Sequence, residues 1–475
     1  MKLQRFEVPG LAHYSYLLAC GGQAVIVDPK RDVDTYLDYA AAANGLRITH
    51  VLETHIHADY CSGALELAQR TGADLWLSGH DEGEDFQYAF PHHDFRDGEE
   101  LRFGNVRMVA MHTPGHTPEH ISFLVHDAQR GDYPMALLSG DFLFVGSLGR
   151  PDLLGEAAKQ KLAGQLYDSL HTRLEKLPDG VEIHPAHGAG SMCGSGMSER
   201  PQSTLGYERA CNFFFREQGR EEFIESILKS VPPFPDYYRR MKKVNSQGPG
   251  ILGKALGEIP GGEALSVADF RSRIADPQAV VIDLRRPEAF GDAHIPGAFN
   301  VGAGTNLSTW AAWVAPYDRP IFLAGDDSIN YDEARRSLVR VGLDDVRGHL
   351  RGGMRAWDEA GGEQAQVPQI SVEELSERMR KGAFLLDVRT ANEWAAEHVA
   401  DATHIMGGDL AKRVAELPTD RAVHIICGSG YRSSVASSVL RRAGFSEVVN
   451  VAGGMGAWNQ RQLPTVTEPA ASRAA

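Results

Sequence analysis

The chain has 475 residues, of which 43% are hydrophobic and 23% charged, and its formal net charge is −15. A chain of this length exceeds one ordinary hydrophobic core, so we expect two to four domains. The negative charge opposes binding to nucleic acid or to an anionic membrane, and no apolar run approaches the roughly 20 residues that a membrane span requires.

The N-terminus and the cysteines bear on the compartment. The opening stretch MKLQRFEVPG lacks the apolar core of a secretory signal. The five cysteines are widely spaced and odd in number, which is not typical of a disulfide framework. We therefore expect a cytoplasmic protein whose cysteines are reduced thiols.

The first 190 residues alternate short β-rich runs with turns. The runs predicted as strands are YSYLLAC, QAVIVDP, ITHVLET, DLWLSG, VRMVAMHTP, HISFLVHD, MALLSGD and VEIHPAH. Helical patterns lie between some of them, at residues 32–44 and 64–71, which favours a layered α/β domain. Residues 200–243 have a helical pattern, and the Gly- and Pro-rich stretch NSQGPGILGKALGEIPGGE is predicted to be a linker.

The rest of the chain repeats itself. VVIDLRRPEAFGDAHIPGAFN is followed by FLLDVRTANEWAAEHVADATH, so that Asp283 pairs with Asp387 and His294 with His398, both 104 residues later. A period near 100 residues indicates a duplicated domain, because solenoid repeats run roughly 20–50 residues. Each copy alternates strands with helices, as in a parallel α/β sheet. We therefore predict three domains, at residues 1–250, 260–362 and 366–467.

Histidines and carboxylates collect at the ends of strands predicted in the first domain. Loops at strand ends converge on one edge of a sheet, so these residues can share a site that binds a first-row transition metal. The candidates are His55, His57 and Asp59 in LETHIHADYCSG, His116 in HTPGHTPEH, Asp141 in LLSGDFLF and His187 in HPAHGAG. We interpret the other histidines considered as hydrogen-bonded or surface residues, namely His13, His80, His92, His93, His126 and His171.

The order of these motifs resembles the metallo-β-lactamase superfamily, which implies an αββα sandwich over residues 1 to about 250. In the two-zinc hydrolases of that superfamily, such as glyoxalase II, the first motif continues T-H-x-H-x-D-H, and its last histidine helps to hold a second metal. Here that position is Tyr60. A neutral phenol is a poor ligand for such an ion, so we expect the second metal position to lack one donor.

The segments GRPD and PAHGAG favour a resemblance to the persulfide dioxygenase branch of the superfamily. That resemblance implies one Fe(II) per chain, O2 as co-substrate, and oxidation of a low-molecular-weight persulfide such as glutathione persulfide to sulfite and thiol. Two histidines and one carboxylate with open positions suit a non-haem iron oxygenase. The implied ligands are His55, His116 and Asp141. The residues expected to orient those ligands or bound water are His57, Asp59, Tyr60 and His187.

Three residues near these motifs each have two interpretations. Arg150 and Asp152 either shape the site mouth and recognise the thiol carrier, or form an ion pair between strand and loop. Cys193, on a Gly-rich loop, either accepts sulfane sulfur or is an idle buried cysteine.

A cysteine loop lies near the C-terminus, in AVHIICGSGYRSSVASSVLRRAGF, which we predict as strand, loop and helix. Gly430 lets the loop curl around Cys427, and backbone N–H groups at the helix N-terminus stabilise a thiolate or an anionic persulfide. Arg432 adds a positive charge for thiosulfate or sulfite. The motif C-x-x-G-x-R-S, which ends at Ser433, resembles the rhodanese family. The protein tyrosine phosphatases have five residues between cysteine and arginine; the four found here favour sulfur transfer, with Cys427 as nucleophile.

The first copy of the repeat lacks this chemistry. Gly325 falls opposite Cys427 and Asn330 opposite Arg432, while Asp326 and Asp327 would repel an anion. We predict that this copy is an inactive rhodanese domain.

The domain order resembles bacterial persulfide dioxygenase–sulfurtransferase fusions of sulfide detoxification. The resemblance implies persulfide, thiosulfate and sulfite as reactants, exchanged through Cys427. A homodimer or homotetramer is also expected. Two alternatives remain: a two-zinc hydroxyacylglutathione hydrolase fused to a sulfurtransferase, and a sulfur carrier or sensor without enzymatic activity.

Overall fold

A computed structural model of the chain describes residues 1–43, 45–216, 219–253 and 258–467. The chain divides into two units, the first comprising Met1–Ile259 with Val339–Gly342, and the second the remainder from Pro260. Part of the predicted linker, residues 254–257, and the last residue of the helix predicted at 32–44 lie outside the described ranges. No helix among the described residues is long and apolar enough to cross a bilayer.

The first unit begins with a six-stranded sheet whose strands lie in chain order. The strands are β1 (Lys2–Val8), β2 (His13–Cys20), β3 (Gln23–Val27), β4 (Arg47–Leu52), β5 (Asp74–Ser78) and β6 (His93–Phe95). Strands β1 to β3 are antiparallel, and β3 to β6 are parallel. The parallel strands require crossovers, and two of these are α1 (Asp34–Ala42) and α2 (Ala64–Thr71), both predicted from the sequence.

A second six-stranded sheet follows. Its strands are β7 (Glu100–Phe103), β8 (Val106–His112), β9 (Ile121–Asp127), β10 (Ala136–Gly140), β13 (Glu182–Pro185) and β14 (Ser203–Thr204). Strands β11 (Leu143–Phe144) and β12 (Ser147–Leu148) form a separate small hairpin. The spatial order is β14-β13-β10-β9-β8-β7. The long helix α3 (Glu156–Arg173) connects the hairpin to β13.

The two sheets pack face to face around one apolar core. Leu18 and Val25 of the first sheet and Phe123 and Leu138 of the second belong to it. The opposite side chains of the same strands, such as Leu17, pack with helices α1 and α2 in a separate cluster. Strands buried on both faces read as continuous apolar runs, which is why YSYLLAC and QAVIVDP were recognisable. The predicted αββα sandwich is confirmed.

The helical pattern predicted over residues 200–243 forms three helices, not one. They are α4 (Leu205–Cys211), α5 (Arg220–Ser230) and α6 (Asp236–Gln247), and Phe213–Phe215 forms a 3₁₀ turn like that at Pro9–Leu11. The prolines of residues 231–235 (VPPFP) separate the last two helices, because a proline ring removes a backbone donor and clashes with the preceding turn.

The second unit contains two five-stranded parallel sheets with the same strand order. The first copy consists of β15 (Ala264–Leu265), α7 (Val267–Ile274), β16 (Val280–Asp283), α8 (Pro287–Asp292), β17 (Phe299–Asn300), α9 (Leu307–Val314), β18 (Ile321–Ala324), α10 (Tyr331–Val339), β19 (Val346–Leu350) and α11 (Gly353–Glu359). Its spatial order is β15-β19-β18-β16-β17.

The second copy repeats this arrangement. It consists of β20 (Gln369–Ile370), α12 (Val372–Met379), β21 (Phe384–Asp387), α13 (Ala391–Ala396), β22 (Thr403–His404), α14 (Leu410–Arg413), a 3₁₀ turn at Val414–Glu416, β23 (Val423–Ile426), α15 (Tyr431–Arg442), β24 (Val448–Val451) and α16 (Gly454–Gln460). Its order, β20-β24-β23-β21-β22, matches the first copy strand for strand. The duplication read from the sequence is therefore a duplicated fold.

Candidate functional site

The histidine motifs meet at one edge of the sandwich, because each follows a strand. His55 and its neighbours lie on the loop between β4 and α2, and His116 lies between β8 and β9. Asp141 directly follows β10, and His187 comes two residues after β13. Both sheets therefore contribute to the cluster, and all of these side chains are buried.

Three of the predicted ligands share an unsatisfied centre. One ligand atom each from His55, His116 and Asp141 lies within 4.8 Å of the others. The Asp141 Oδ2 atom is 3.9 Å from His55 Nε2 and 3.4 Å from His116 Nε2. These three buried atoms have no hydrogen-bond partner among the described residues. Buried polar atoms without partners are costly, so the arrangement fits a metal cation that accepts all three.

The opposite ring nitrogens are held by hydrogen bonds. His55 Nδ1 lies 2.9 Å from the Thr54 hydroxyl, which itself donates to Asp28. His116 Nδ1 donates to the Arg150 carbonyl oxygen at 2.9 Å. Burial lowers the pKa of both histidines well below the usual range, which favours the neutral imidazole that a metal requires. The Nε2 lone pairs therefore point into the centre.

His187 is held differently from these ligands. Its Nδ1 lies 2.7 Å from Asp141 Oδ1 and its Nε2 lies 2.8 Å from Asp59 Oδ2. Burial alone would lower the pKa of His187, but the Asp141 and Asp59 carboxylates raise it well above the usual range. In this arrangement both ring nitrogens donate to carboxylates, so His187 orients Asp141 and links it to Asp59.

Cys193 lies beside this bridge. Single ligand atoms of Asp59, His187 and Cys193 come within 4.8 Å of one another, which makes them a second buried candidate cluster. The Cys193 sulfur is 3.8 Å from the Tyr238 hydroxyl. Burial raises the pKa of the Cys193 thiol well above its usual range, and the thiol form is a weaker ligand and nucleophile than the thiolate.

Tyr60 and His57 are turned toward Asp28. The Tyr60 hydroxyl donates to the Asp28 carbonyl oxygen at 3.3 Å, and the His57 Nε2 lies 3.1 Å from Asp28 Oδ1. Burial raises the pKa of Tyr60 well above its usual range, so the phenol remains protonated. The Tyr60 ring packs against His57 at 4.5 Å and against His13 at 4.1 Å between ring centroids.

The interpretation of His13 as a hydrogen-bonded or surface residue is wrong. Its side chain is fully buried, and neither ring nitrogen has a partner among the described residues. It faces Tyr60 and His187 from strand β2. The sequence offered no signal for this, because His13 begins a strand instead of following one.

Three further residues of the site were missed. Asp28 accepts from the Thr54 N–H at 2.7 Å as well as from the Thr54 hydroxyl. It follows strand β3, so the rule applied to the other motifs would have found it. His120 stacks on the His55 ring at 5.1 Å and accepts from the Asp141 N–H, and Asn245 of α6 donates to the His57 carbonyl.

Arg150 and Asp152 form the ion pair that was one of their two interpretations. Arg150 Nε and Nη2 donate to the two carboxylate oxygens of Asp152 at 2.7 and 2.8 Å. The remaining Nη1 donates to the carbonyl oxygens of Met192 and Pro233. Because Arg150 is buried with these donors occupied, its guanidinium fastens the loops around the centre.

The cysteine loop of the second unit has the predicted strand, loop and helix. Cys427 directly follows β23 and is buried. The Gly430 N–H donates to the Cys427 sulfur at 3.1 Å, and the Ser433 hydroxyl lies 3.4 Å from it. Helix α15 begins immediately afterwards, so its N-terminal dipole favours negative charge on the sulfur.

Arg432 was predicted to offer its positive charge to an anion, but in the structure it is already paired with a carboxylate. Its Nη1 and Nη2 each donate to one carboxylate oxygen of Glu393, both at 2.6 Å. Glu393 also completes a capping box with Thr390 at the start of α13. This carboxylate was missed because it lies 39 residues before Arg432 in the chain.

The corresponding loop of the first copy has no thiol, and side chains crowd the position where one would lie. Gly325 and Cys427 occupy equivalent places, since their carbonyl oxygens accept from Met354 and Met455 respectively. A Cβ atom on Gly325 would lie 2.7 Å from the Tyr331 hydroxyl.

Comparisons with known proteins match two families along the chain. Residues 8–187 match the family described as Metallo-beta-lactamase superfamily, and residues 266–360 and 371–461 match the Rhodanese-like domain. A crystal structure described as a metallo-beta-lactamase from Staphylococcus aureus has 34% sequence identity and a TM-score of 0.64, covering 74% of this chain and 99% of that chain.

Two curated relatives of the first unit carry different activities in their names. The hydroxyacylglutathione hydrolase of Anaeromyxobacter dehalogenans is 33% identical over 178 residues, which cover 38% of this chain and 62% of that protein. The mitochondrial persulfide dioxygenase ETHE1 of Homo sapiens is 30% identical over 187 residues, which cover 39% of this chain and 66% of that protein. The chain belongs to the metallo-β-lactamase superfamily, whose members bind metal, and its metallo-β-lactamase domain is followed by two rhodanese domains.

Proposed function

We propose that the first unit is a persulfide dioxygenase with one Fe(II), which converts a low-molecular-weight thiol persulfide and O2 to sulfite and the parent thiol. The overall reaction consumes one water and releases two protons for each RSSH oxidised to RSH and sulfite. The observation that carries the proposal is the set of three unsatisfied buried atoms on His55, His116 and Asp141, which lie within 4.8 Å of one another. Two histidines and one carboxylate leave coordination positions open for substrates.

The surroundings support one metal over two. Tyr60 stands where a two-zinc hydrolase has a histidine, and its hydroxyl is turned to the Asp28 backbone. The two ring nitrogens of His187 are engaged by Asp59 and Asp141, so this histidine holds Asp141 in place. Fe(II) supplies the redox chemistry that O2 requires and that zinc lacks. The protein residues orient the ligands and enclose the centre in buried side chains.

We further propose that Cys427 carries sulfane sulfur between persulfide, thiosulfate and sulfite. The Gly430 N–H and the helix that follows stabilise negative charge on the sulfur. The first copy has no sulfur at its loop, so we assign it no catalytic role. We also propose that the protein acts in a reducing cytoplasm and assembles as a homodimer or homotetramer.

Thioester hydrolysis is the second candidate for the first unit. It is favoured by the 33% identity to a hydroxyacylglutathione hydrolase and by the second buried cluster of Asp59, His187 and Cys193, which offers three donor groups. Two zinc ions would then be required, with Cys193 in place of the missing histidine.

Oxygen uptake by the iron-loaded protein on addition of glutathione persulfide tests the proposal, with sulfite and thiosulfate assayed at the end point. We expect rapid uptake that is lost in His116→Ala, retained in Cys427→Ser, and retained in His93→Ala, an exposed histidine of the same unit. Absence of uptake, together with hydrolysis of an acylglutathione by zinc-loaded protein, would establish the hydrolase instead.

A further inference from the structure

The guanidinium of Arg432 and the carboxylate of Glu393 form an ion pair beside the cysteine loop. The two hydrogen bonds of 2.6 Å are parallel and bidentate, the strongest geometry for such a pair. A Cβ atom on Gly428 would lie 2.9 Å from Arg432 Nη2 and 3.8 Å from Glu393 Oε1. The pair therefore lies directly against Gly428, the residue that follows Cys427.

The duplicated fold provides a control within the chain. Both copies keep the Asp–Arg pair at the end of the second strand, Asp283 with Arg285 and Asp387 with Arg389, with closest distances of 2.6 and 2.7 Å. Both copies also stack an aromatic ring on the following histidine, at 3.8 and 3.6 Å. These shared contacts serve the fold.

The ion pair is absent from the copy that lacks the thiol. Ala289 stands at the position of Glu393, and Asn330 stands at that of Arg432. Both partners are therefore missing where Cys427 is missing. Glu393 also caps helix α13, but that role does not require Arg432, and the ion pair occurs in the copy that has the reactive sulfur.

The charge of Glu393 opposes the anions that Arg432 would bind. Thiosulfate and sulfite bear up to two negative charges, whereas the reacting sulfur of a thiol persulfide bears at most one. An anion that contacts Arg432 must compete with the carboxylate already bound there, and it meets like-charge repulsion at close range. The penalty is larger for the dianion.

We propose that Glu393 is a specificity-determining residue that weakens binding of thiosulfate and sulfite at the Cys427 loop and so favours thiol persulfides as sulfur donors. The inference rests on the sulfur-transfer function proposed above. In that step the Cys427 thiolate attacks the outer sulfur of the donor. The donor S–S bond breaks, the leaving sulfite or thiolate takes the electron pair, and Cys427 retains the transferred sulfur as a persulfide.

Glu393→Gln tests the inference in the full-length protein. Glutamine keeps an oxygen that accepts from the Thr390 N–H in the capping box, but it removes the negative charge. The matched control is Glu416→Gln, which breaks an exposed bidentate pair with Arg413 in the same copy.

Transfer from thiosulfate to cyanide and from glutathione persulfide to cyanide is measured for each variant. We expect Glu393→Gln to lower the KM for thiosulfate about fivefold, the factor that corresponds to loss of an opposing interaction of about 1 kcal/mol at a partly exposed pair. We expect a smaller change in the KM for persulfide, and kcat within twofold for both donors. Equal changes for both donors, or an unchanged or raised KM for thiosulfate, would overturn the inference.

Binding without turnover separates this inference from the proposed function. In a Cys427→Ser background, isothermal titration with sodium thiosulfate should give a Kd about fivefold lower when Glu393 is also replaced by glutamine. Cyanide transfer absent from the wild-type protein would refute the sulfurtransferase function, and the inference with it. If the wild-type protein transfers sulfur to cyanide but Cys427→Ser and the double variant bind thiosulfate with the same Kd, only the role of Glu393 is refuted.

Discussion

Replacing Gly149 by alanine should damage the metal centre without removing any ligand. A Cβ atom there would overlap the Asp141 carbonyl oxygen and lie 2.9 Å from His116 Nδ1. The backbone of Asp141 must then move by well over a few tenths of an ångström, and the ring of His116 must shift as well. Overpacking of this kind costs about 1–3 kcal/mol of stability. Displacing a group that orients a ligand lowers metal affinity by roughly 10–100-fold, and here two ligands are affected.

The measurement is a competition titration. Metal-free protein is reloaded with Fe(II) under anaerobic conditions against a chromophoric chelator, and the dissociation constant is compared with that of the wild type. Gly180→Ala is the control, because a Cβ atom on Gly180 meets nothing within 4 Å. Wild-type Fe(II) affinity and an unchanged melting temperature in Gly149→Ala would refute the packing argument.

Three further predictions concern other parts of the molecule. Tyr60→His supplies the imidazole that the two-zinc motif contains, so zinc per chain after reloading should rise from one toward two by elemental analysis; one zinc in both proteins would contradict this. In Gly454→Ala, the new Cβ atom would overlap the Cys427 carbonyl oxygen at a φ of +54°, so sulfur transfer to cyanide should fall at least about tenfold while oxygen uptake is retained. Burial raises the pKa of Glu393, but Arg432 outweighs burial and lowers it to about 2. The ionised carboxylate therefore stabilises the fold above pH 4.5 and loses this effect as the pH falls toward 2. The difference in melting temperature between wild type and Glu393→Gln should accordingly be constant from pH 5 to 8 and shrink in more acidic buffer, and a difference that grows there would contradict the assignment.

The sequence by itself determined the architecture and the candidate site residues. Buried strands read as apolar runs, and the offset of 104 residues between Asp283 and Asp387 marked the duplication. His55, His116 and Cys427 were found because each directly follows, or lies in a loop that follows, a recognisable strand. Such positions are legible because strand periodicity and turn residues are local properties of the chain.

Only the tertiary structure decided how these residues are partnered. His187 lies between Asp59 and Asp141, and Glu393 neutralises Arg432, through contacts that join residues 39 to 128 positions apart. His13 lies in the site although it is the first residue of strand β2. The search for residues that follow strands therefore did not find it. Which charged groups pair depends on where loops from different strands converge. The distance between two such groups in the folded chain cannot be read from their side-chain chemistry alone. The sequence therefore identifies the candidate reactive groups, and the fold decides which of them are held by a partner.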